Sequence, residues 1–310
     1  MKKTIFGALC LVYAFSAFGR PMLGISPTTL GVSKNELRLG FESQTAKGRY
    51  DDAGNYTDFA AGEARESYQL NMNFNYGAAK NNEIDLFIPY IIRSFTKANG
   101  NNLACSALGD IWLIGKNKIN ETMGGKGMFS VCAGVKFPTA KSIFNNAKST
   151  LPSGTGTWDV LGGFSSREER LPFLLSGNVF YVYRFPLKSS VFAGTNISEV
   201  NFSLGSQLKY EVAVEYPVSK LFSFVVEYNG STQYESKAEY TGSNANAVSD
   251  MNLLDTTEYT LYKSVLGKLS AGIMITLSEK FMINAGAGLP VIANSTYGGI
   301  TYFANLALTI

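Results

Sequence analysis

The sequence contains no histidine. That removes the commonest general base and a leading metal ligand. Charge is sparse: 16% of the 310 residues are Asp, Glu, Lys or Arg, against about 25% in an ordinary soluble domain. Three cysteines are too few for a disulfide framework. Beyond the N-terminus no run of eighteen apolar residues occurs, which argues against a helical membrane protein. The formal charge is only +3, and loss of Lys2 and Lys3 would lower it to about +1. That is no footprint for nucleic acid.

Enzymatic chemistry finds few parts here. A serine hydroxyl without a neighbouring base is a weak nucleophile near neutral pH. Glu211 and Glu215 lie four apart on one strand face, about 13 Å at the strand rise, beyond the roughly 5–9.5 Å that glycosidase pairs need. Asp51 and Asp52 beside Gly54 and Asn55 lack the spacing and terminal Glu of an EF-hand, so they read as a solvated loop. No catalytic residue, cofactor or metal is expected.

What the chain does have is 45% hydrophobic residues, 17 Tyr, 21 Phe and 31 Gly. Lys2 and Lys3 precede an apolar run, Thr4 to Phe18, with small residues at Ala17 and Gly19. This is a secretory signal, residues 1–19, with cleavage after Gly19. Residues 20–33 follow as a short irregular periplasmic segment with Pro21, Gly24, Pro27 and Gly31. It is too short for a plug domain but able to enter a lumen and narrow it. Export leaves Cys105 and Cys132, expected as separate reduced thiols.

From residue 34 to 310 the hydropathy alternates with a period of two. Tyr68, Leu70, Met72, Phe74 and Tyr76 share one face, and Gln69, Asn71, Asn73 and Asn75 the other. That is the mark of a strand with one apolar and one wet face. Phe202 to Tyr216 alternates in the same way and is read as one long strand. The same rule predicts about twelve strands: 34–43, 67–77, 83–94, 108–119, 128–137, 157–167, 173–185, 201–216, 221–232, 262–277, 280–290 and 299–310. Connections after even-numbered strands are short. Those after odd-numbered strands are mostly long, notably Gln44 to Glu66, Pro138 to Gly156 and Gln233 to Leu261. A soluble sandwich has no reason to sort its loops so; an outer-membrane barrel does. The fold expected is all-β, a single antiparallel transmembrane barrel with both termini periplasmic. The final strand, Gly299 to Ile310, resembles the signal read by the outer-membrane assembly machinery, with Ile310 where Phe is usual.

Three short motifs stand in order: Gly109-Asp110, Lys136-Phe137-Pro138-Thr139, and Gly154-Thr155-Gly156-Thr157-Trp158-Asp159. A strand with Tyr181 and Tyr183 and a closing pair of hairpins follow. In this order the chain resembles the outer-membrane family named for the meta-cleavage pathway of phenol degradation. It departs at Pro138-Thr139-Ala140, where that family usually reads Pro-Thr-Gly. The resemblance implies a channel or transporter for hydrophobic and aromatic compounds, similar in kind to the long-chain fatty-acid transporters.

Taking each strand's polar face as inward gives nine cations against eight anions. The lumen therefore carries no single-sign field, and its charges can neutralise one another across strands. Inward apolar residues include Phe87, Ile91, Trp112, Ile114, Phe180 and Val182. They either line a path for an apolar solute or pack beneath an infolded loop. On the first reading Trp112 and Ile91 form an upper lumen pocket for a small hydrophobic or aromatic solute, with Asp110 and Arg93 as its polar rim. On the second, Trp112 packs under the loop Phe95 to Ala107. The matching functions are a passive or gated channel, and a non-transporting structural or surface-interaction barrel with a packed lumen. The partners expected are outer-membrane lipids, the solute and the assembly machinery.

Overall fold

The computed structural model describes residues 26, 28–121, 127–140, 151–193, 196–241 and 263–310. The signal expected at residues 1–19 lies outside them. The barrel strands are β1 (Asn35–Tyr50), β3 (Ala64–Ala79), β4 (Asn82–Thr96), β6 (Ile111–Glu121), β7 (Gly127–Phe137), β8 (Asp159–Arg170), β9 (Phe173–Arg184), β12 (Gln207–Pro217), β13 (Phe222–Gln233), β15 (Ser264–Ser278), β16 (Phe281–Asn294) and β17 (Thr296–Thr309). Each pairs antiparallel with the next, and β17 returns to β1 from Glu36↔Thr309 to Tyr50↔Thr296. Closure is obligatory, because lipid offers no partner to the amides of a free sheet edge.

The faces are inverted relative to a soluble protein. Leu70, Met72 and Phe74 on β3, Val212 on β12, and Phe224 and Val226 on β13 are exposed on the outside. Asn75, Lys116, Ser130, Ser165, Asn178 and Glu227 are buried on the inside. An apolar outer belt around a polar interior is what lipid outside and water inside require. The chain is a barrel of the bacterial outer membrane. Short turns such as 80–81, 171–172 and 279–280 share one end with both barrel termini, which makes that end periplasmic.

Five shorter strands lie outside the circuit of twelve. β2 (Tyr56–Asp58) pairs with the outer part of β1, and β5 (Asn102–Leu108) with the outer part of β4. β10 (Leu187–Ala193), β11 (Asn196–Ser203) and β14 (Lys237–Thr241) form a separate sheet at the external end.

Several boundaries differ from the sequence reading. Gln44 to Glu66 is mainly strand, because β1 pairs with β3 as far as Ala46↔Arg65 and then with β17 and β2 as far as Tyr50. Phe95 to Ala107 is likewise mostly the β4–β5 hairpin, so Cys105 lies in a strand and not a loop. The interval 291–298 is almost all strand, with Ser295 alone between β16 and β17. The expected strand 201–216 is two. β11 belongs to the external sheet, and β12 starts at Gln207. The alternation runs through this break, but the backbone does not: Phe202 and Leu204 are buried while Val212 faces lipid. Gly205 lies so close to Tyr234 that a Cβ there would meet its carbonyl oxygen at 1.8 Å. Cys105 and Cys132 are both free and buried.

Candidate functional site

The external half of the lumen is organised around Asp110, between β5 and β6. The Gly109 amide donates to the Pro89 carbonyl at 2.8 Å, which passes the strand from one pairing to the next. Thr139 ties the end of β7 to the same place: its hydroxyl donates to Gly109 O at 2.9 Å and accepts from Ile111 N at 3.1 Å. Asp110 is thereby aimed at the segment 151–157, which turns into the barrel and is largely buried. The Thr155 amide donates to Asp110 Oδ2 at 2.9 Å, and the Thr155 hydroxyl donates to the same oxygen at 3.1 Å.

Lys136 closes the arrangement. Its ammonium lies 3.2 Å from Asp110 Oδ2 and 2.7 Å from Asp159 Oδ2, and it also donates to the Thr155 hydroxyl. Thr157 donates to Asp159 Oδ1 at 2.7 Å, and Arg184 approaches Asp159 Oδ2 at 3.6 Å. The three motifs read from the sequence thus converge on one buried network. Two carboxylates and two cations neutralise each other there, which is how charge is tolerated away from bulk water.

Trp112, Ile91, Asp110 and Arg93 border a single cavity of ≈ 360 Å³. The two polar members also hold the infolded segment, since Arg93 Nη1 donates to Pro152 O at 3.3 Å. Leu151 fills the apolar underside of the β4–β5 hairpin, against Phe95, Leu103 and Cys105. Trp112 instead borders both this cavity and a second one of ≈ 420 Å³ in mid-lumen. A third, of ≈ 310 Å³, lies beside Arg38, Asn71 and Asn284. Phe87 and Lys209 line all three, which strings them along one interior.

The periplasmic end holds a second insertion. Ser26, Thr28 and Leu30 are buried. The Leu30 amide donates to Glu83 Oε2 at 2.6 Å, and Lys116 Nζ donates to Ser26 O at 2.9 Å. Backbone closeness makes the fit: a Cβ on Gly77 would lie 2.1 Å from Gly31 O.

Glu83 and Arg65 were not among the inward charges expected. Glu83 shares its strand parity with Asp85, so alternation carried the signal. Arg65 lay in an expected loop, whereas it is buried on β3 with its guanidinium 3.9 Å from the Tyr297 ring centroid. At the solvated loop, Asp51 Oδ1 accepts from the Ala53 and Asn55 amides, and Oδ2 from the Asn55 side chain. Asp51 is thus occupied by its own loop.

These features define a closed twelve-stranded outer-membrane barrel with two inserted segments and cavities between them. No protein-family model matches the chain, and no curated protein matches it in sequence. Among solved structures, an outer-membrane channel from Pseudomonas putida F1 superposes with a TM-score of 0.71 at 10% identity, covering 94% of this chain and 100% of that one. The β domain of the Bordetella autotransporter BrkA reaches 0.48 at 7% identity, covering 90% of this chain and all of that one. The monoaromatic hydrocarbon channel CymD reaches 0.40 at 8% identity, over 90% of this chain and 88% of that one. The first shows a shared fold; the other two superpose too loosely to argue from.

Proposed function

We propose that the protein is a gated outer-membrane channel for small hydrophobic or aromatic solutes. The observation that carries this reading is the string of cavities bordered by Trp112, Phe87 and Ile91 between the two inserted segments. Apolar side chains beside placed polar groups are the usual make-up of a small-molecule site; the mid-lumen cavity has them in Phe87, Trp112, Ile114, Leu161 and Phe180, while the upper cavity is lined mostly by polar residues. A water-filled pore for ions would need neither the aromatics nor the neutralised charge. The motif resemblance to the meta-cleavage pathway family supports the same solute class, as does the channel description of the Pseudomonas neighbour. Trp112 and Ile91 would form the apolar wall of the upper pocket, with Asp110 and Arg93 its polar rim. Residues 1–19 direct export, and the barrel engages the assembly machinery through its last strand.

The segment 151–157 narrows the lumen from outside, and Ser26, Thr28 and Leu30 narrow it from the periplasm. Loosening either one should open the path. Planar-bilayer recordings on the intact protein and on Asp110→Ala test this directly. Small, infrequent openings that become larger and longer in the variant are expected. A silent barrel in both, with normal heat-modifiable migration, would favour the packed structural barrel.

A further inference from the structure

Mid-lumen holds two buried polar side chains, Asn178 and Glu211, that lean on each other without a hydrogen bond of good geometry. Asn178 on β9 is 3% exposed and Glu211 on β12 is 6% exposed. They lie opposite each other in the strand register. Neither amide atom of Asn178 has a hydrogen-bond partner of good geometry, and nor has Glu211 Oε1. The next residue across, Asn229, is committed elsewhere: its amide nitrogen donates to Glu227 Oε1 at 2.7 Å. Asn178 and Glu211 both border the ≈ 420 Å³ cavity, and Phe180, Trp112, Phe87 and Leu161 supply its apolar wall.

An unpartnered buried polar atom is costly, and a ligand that supplies the missing bond recovers that cost. Asn178 offers one donor group and one acceptor, and Glu211 offers a further acceptor. Their complement is a group that both donates and accepts. A hydroxyl does so, with one O–H and two lone pairs. A bare ring can do neither. A carboxylate has no donor for Glu211 Oε1 or Asn178 Oδ1. An ammonium has no acceptor for the Asn178 N–H, and would carry its charge past Lys209 and Lys268, which border the same cavity.

We propose that Asn178 and Glu211 form a docking point that selects, among small aromatic solutes, those bearing a neutral hydroxyl group. The hydroxyl donates to Glu211 Oε1 or Asn178 Oδ1 and accepts from Asn178 Nδ2, while the ring lies against Phe180 and Trp112. This rests on the channel reading above. It adds a ranking of solutes that the reading alone does not give.

The chain has two tryptophans, and Trp158 faces outward, 50% exposed. In the full-length Trp158→Phe barrel, Trp112 is therefore the sole tryptophan, excited apart from the 17 tyrosines at the red edge of the absorption band, and it borders the cavity. Its emission is titrated with benzyl alcohol, benzyl methyl ether, toluene, benzoate and benzylamine. Benzyl alcohol is expected to bind about tenfold more tightly than its methyl ether, the equivalent of one net hydrogen bond. Asn178→Leu and Glu211→Met should each weaken that preference, and the double variant should abolish it, while toluene still quenches. If leucine prevents assembly, Asn178→Ala serves with the same expectation. Equal affinities for alcohol and ether in the unsubstituted lumen, a full preference surviving in both single variants or any preference in the double variant, or tighter binding of benzoate or benzylamine would overturn the docking point. In those cases quenching by toluene keeps the channel reading intact. Absence of quenching by every aromatic probe would overturn both.

Discussion

Lys116 and Glu83 form an ion pair at 2.6 Å with side-chain exposures of 2% and 1%, and each also binds the backbone of the inserted N-terminal segment. The pair is thus a clamp as well as a cross-strand contact between β4 and β6. Removing one member leaves the other buried and uncompensated, at a cost of about 3–5 kcal/mol. Lys116→Met should release residues 26–33 from the periplasmic mouth. Protease added to the periplasmic face should then cut the released segment, and open-channel current should rise. An unaltered cleavage pattern and current would show that the clamp does not hold the segment.

Lipid contact at mid-strand can be measured by charge insertion. Val212 is central in β12 and 57% exposed. Arginine there should destabilise the folded barrel by about 2–4 kcal/mol, whereas at Val218, in the turn beyond β12, the change should be near zero. Folding titrations of both variants in lipid vesicles report the difference. Equal effects would place Val212 outside the hydrocarbon layer.

Asp51 gives a pH dependence outside the membrane. The Asn55 side chain and the Asn55 and Ala53 amides hold its carboxyl below the ordinary value of 3.8. A carboxyl lowered in the folded state contributes order above its unfolded value and loses it as pH falls through the folded one. The loop 51–55 should therefore stay ordered at pH 4 and loosen below the ordinary carboxylate range. The Asn55 amide resonance, followed from pH 6 to pH 2, should report that change. Asp51→Asn should flatten the profile; an identical profile in the variant would assign the transition to another group.

The barrel was legible because its membrane strands obey one rule. In Tyr68 to Tyr76 every second residue is apolar, and the strand found there is the one expected, merely longer at each end. The rule fails where strands leave the lipid. Phe202 and Leu204 keep the alternation of β12 but belong to a different local surface, so periodicity could not see the break at Gly205. The four residues expected at the upper lumen border one cavity, but the register differs from the expectation: Trp112 pairs with Phe87, and Ile91 with Ala107 on the shorter strand β5. The inserted segment 151–157 was not legible. Pro152, Ser153, Gly154 and Thr155 carry no hydrophobic signal, and their burial depends on partners far along the chain, Asp110 and Lys136. The imperfect pairing of Asn178 with Glu211 depends on the exact geometry of neighbouring strands, which no pattern of residue types encodes.

Eleven of the twelve wall contacts join strands that are successive in the barrel order, and the twelfth joins β17 to β1. Thr309 and Glu36, bonded at 3.3 Å across that seam, are separated by 273 positions. Local hairpins can form without the seam, but the seam cannot form until the whole sheet has curled. Until then β1 and β17 are two open edges, each a template for another chain. The slow, logarithmic growth of loop-closure entropy means that sheer separation is a modest obstacle. The hazard is competition: an edge meant for its own far strand can capture a neighbour's. Crowded copies would then polymerise by strand exchange, so the two edges need shielding until they meet.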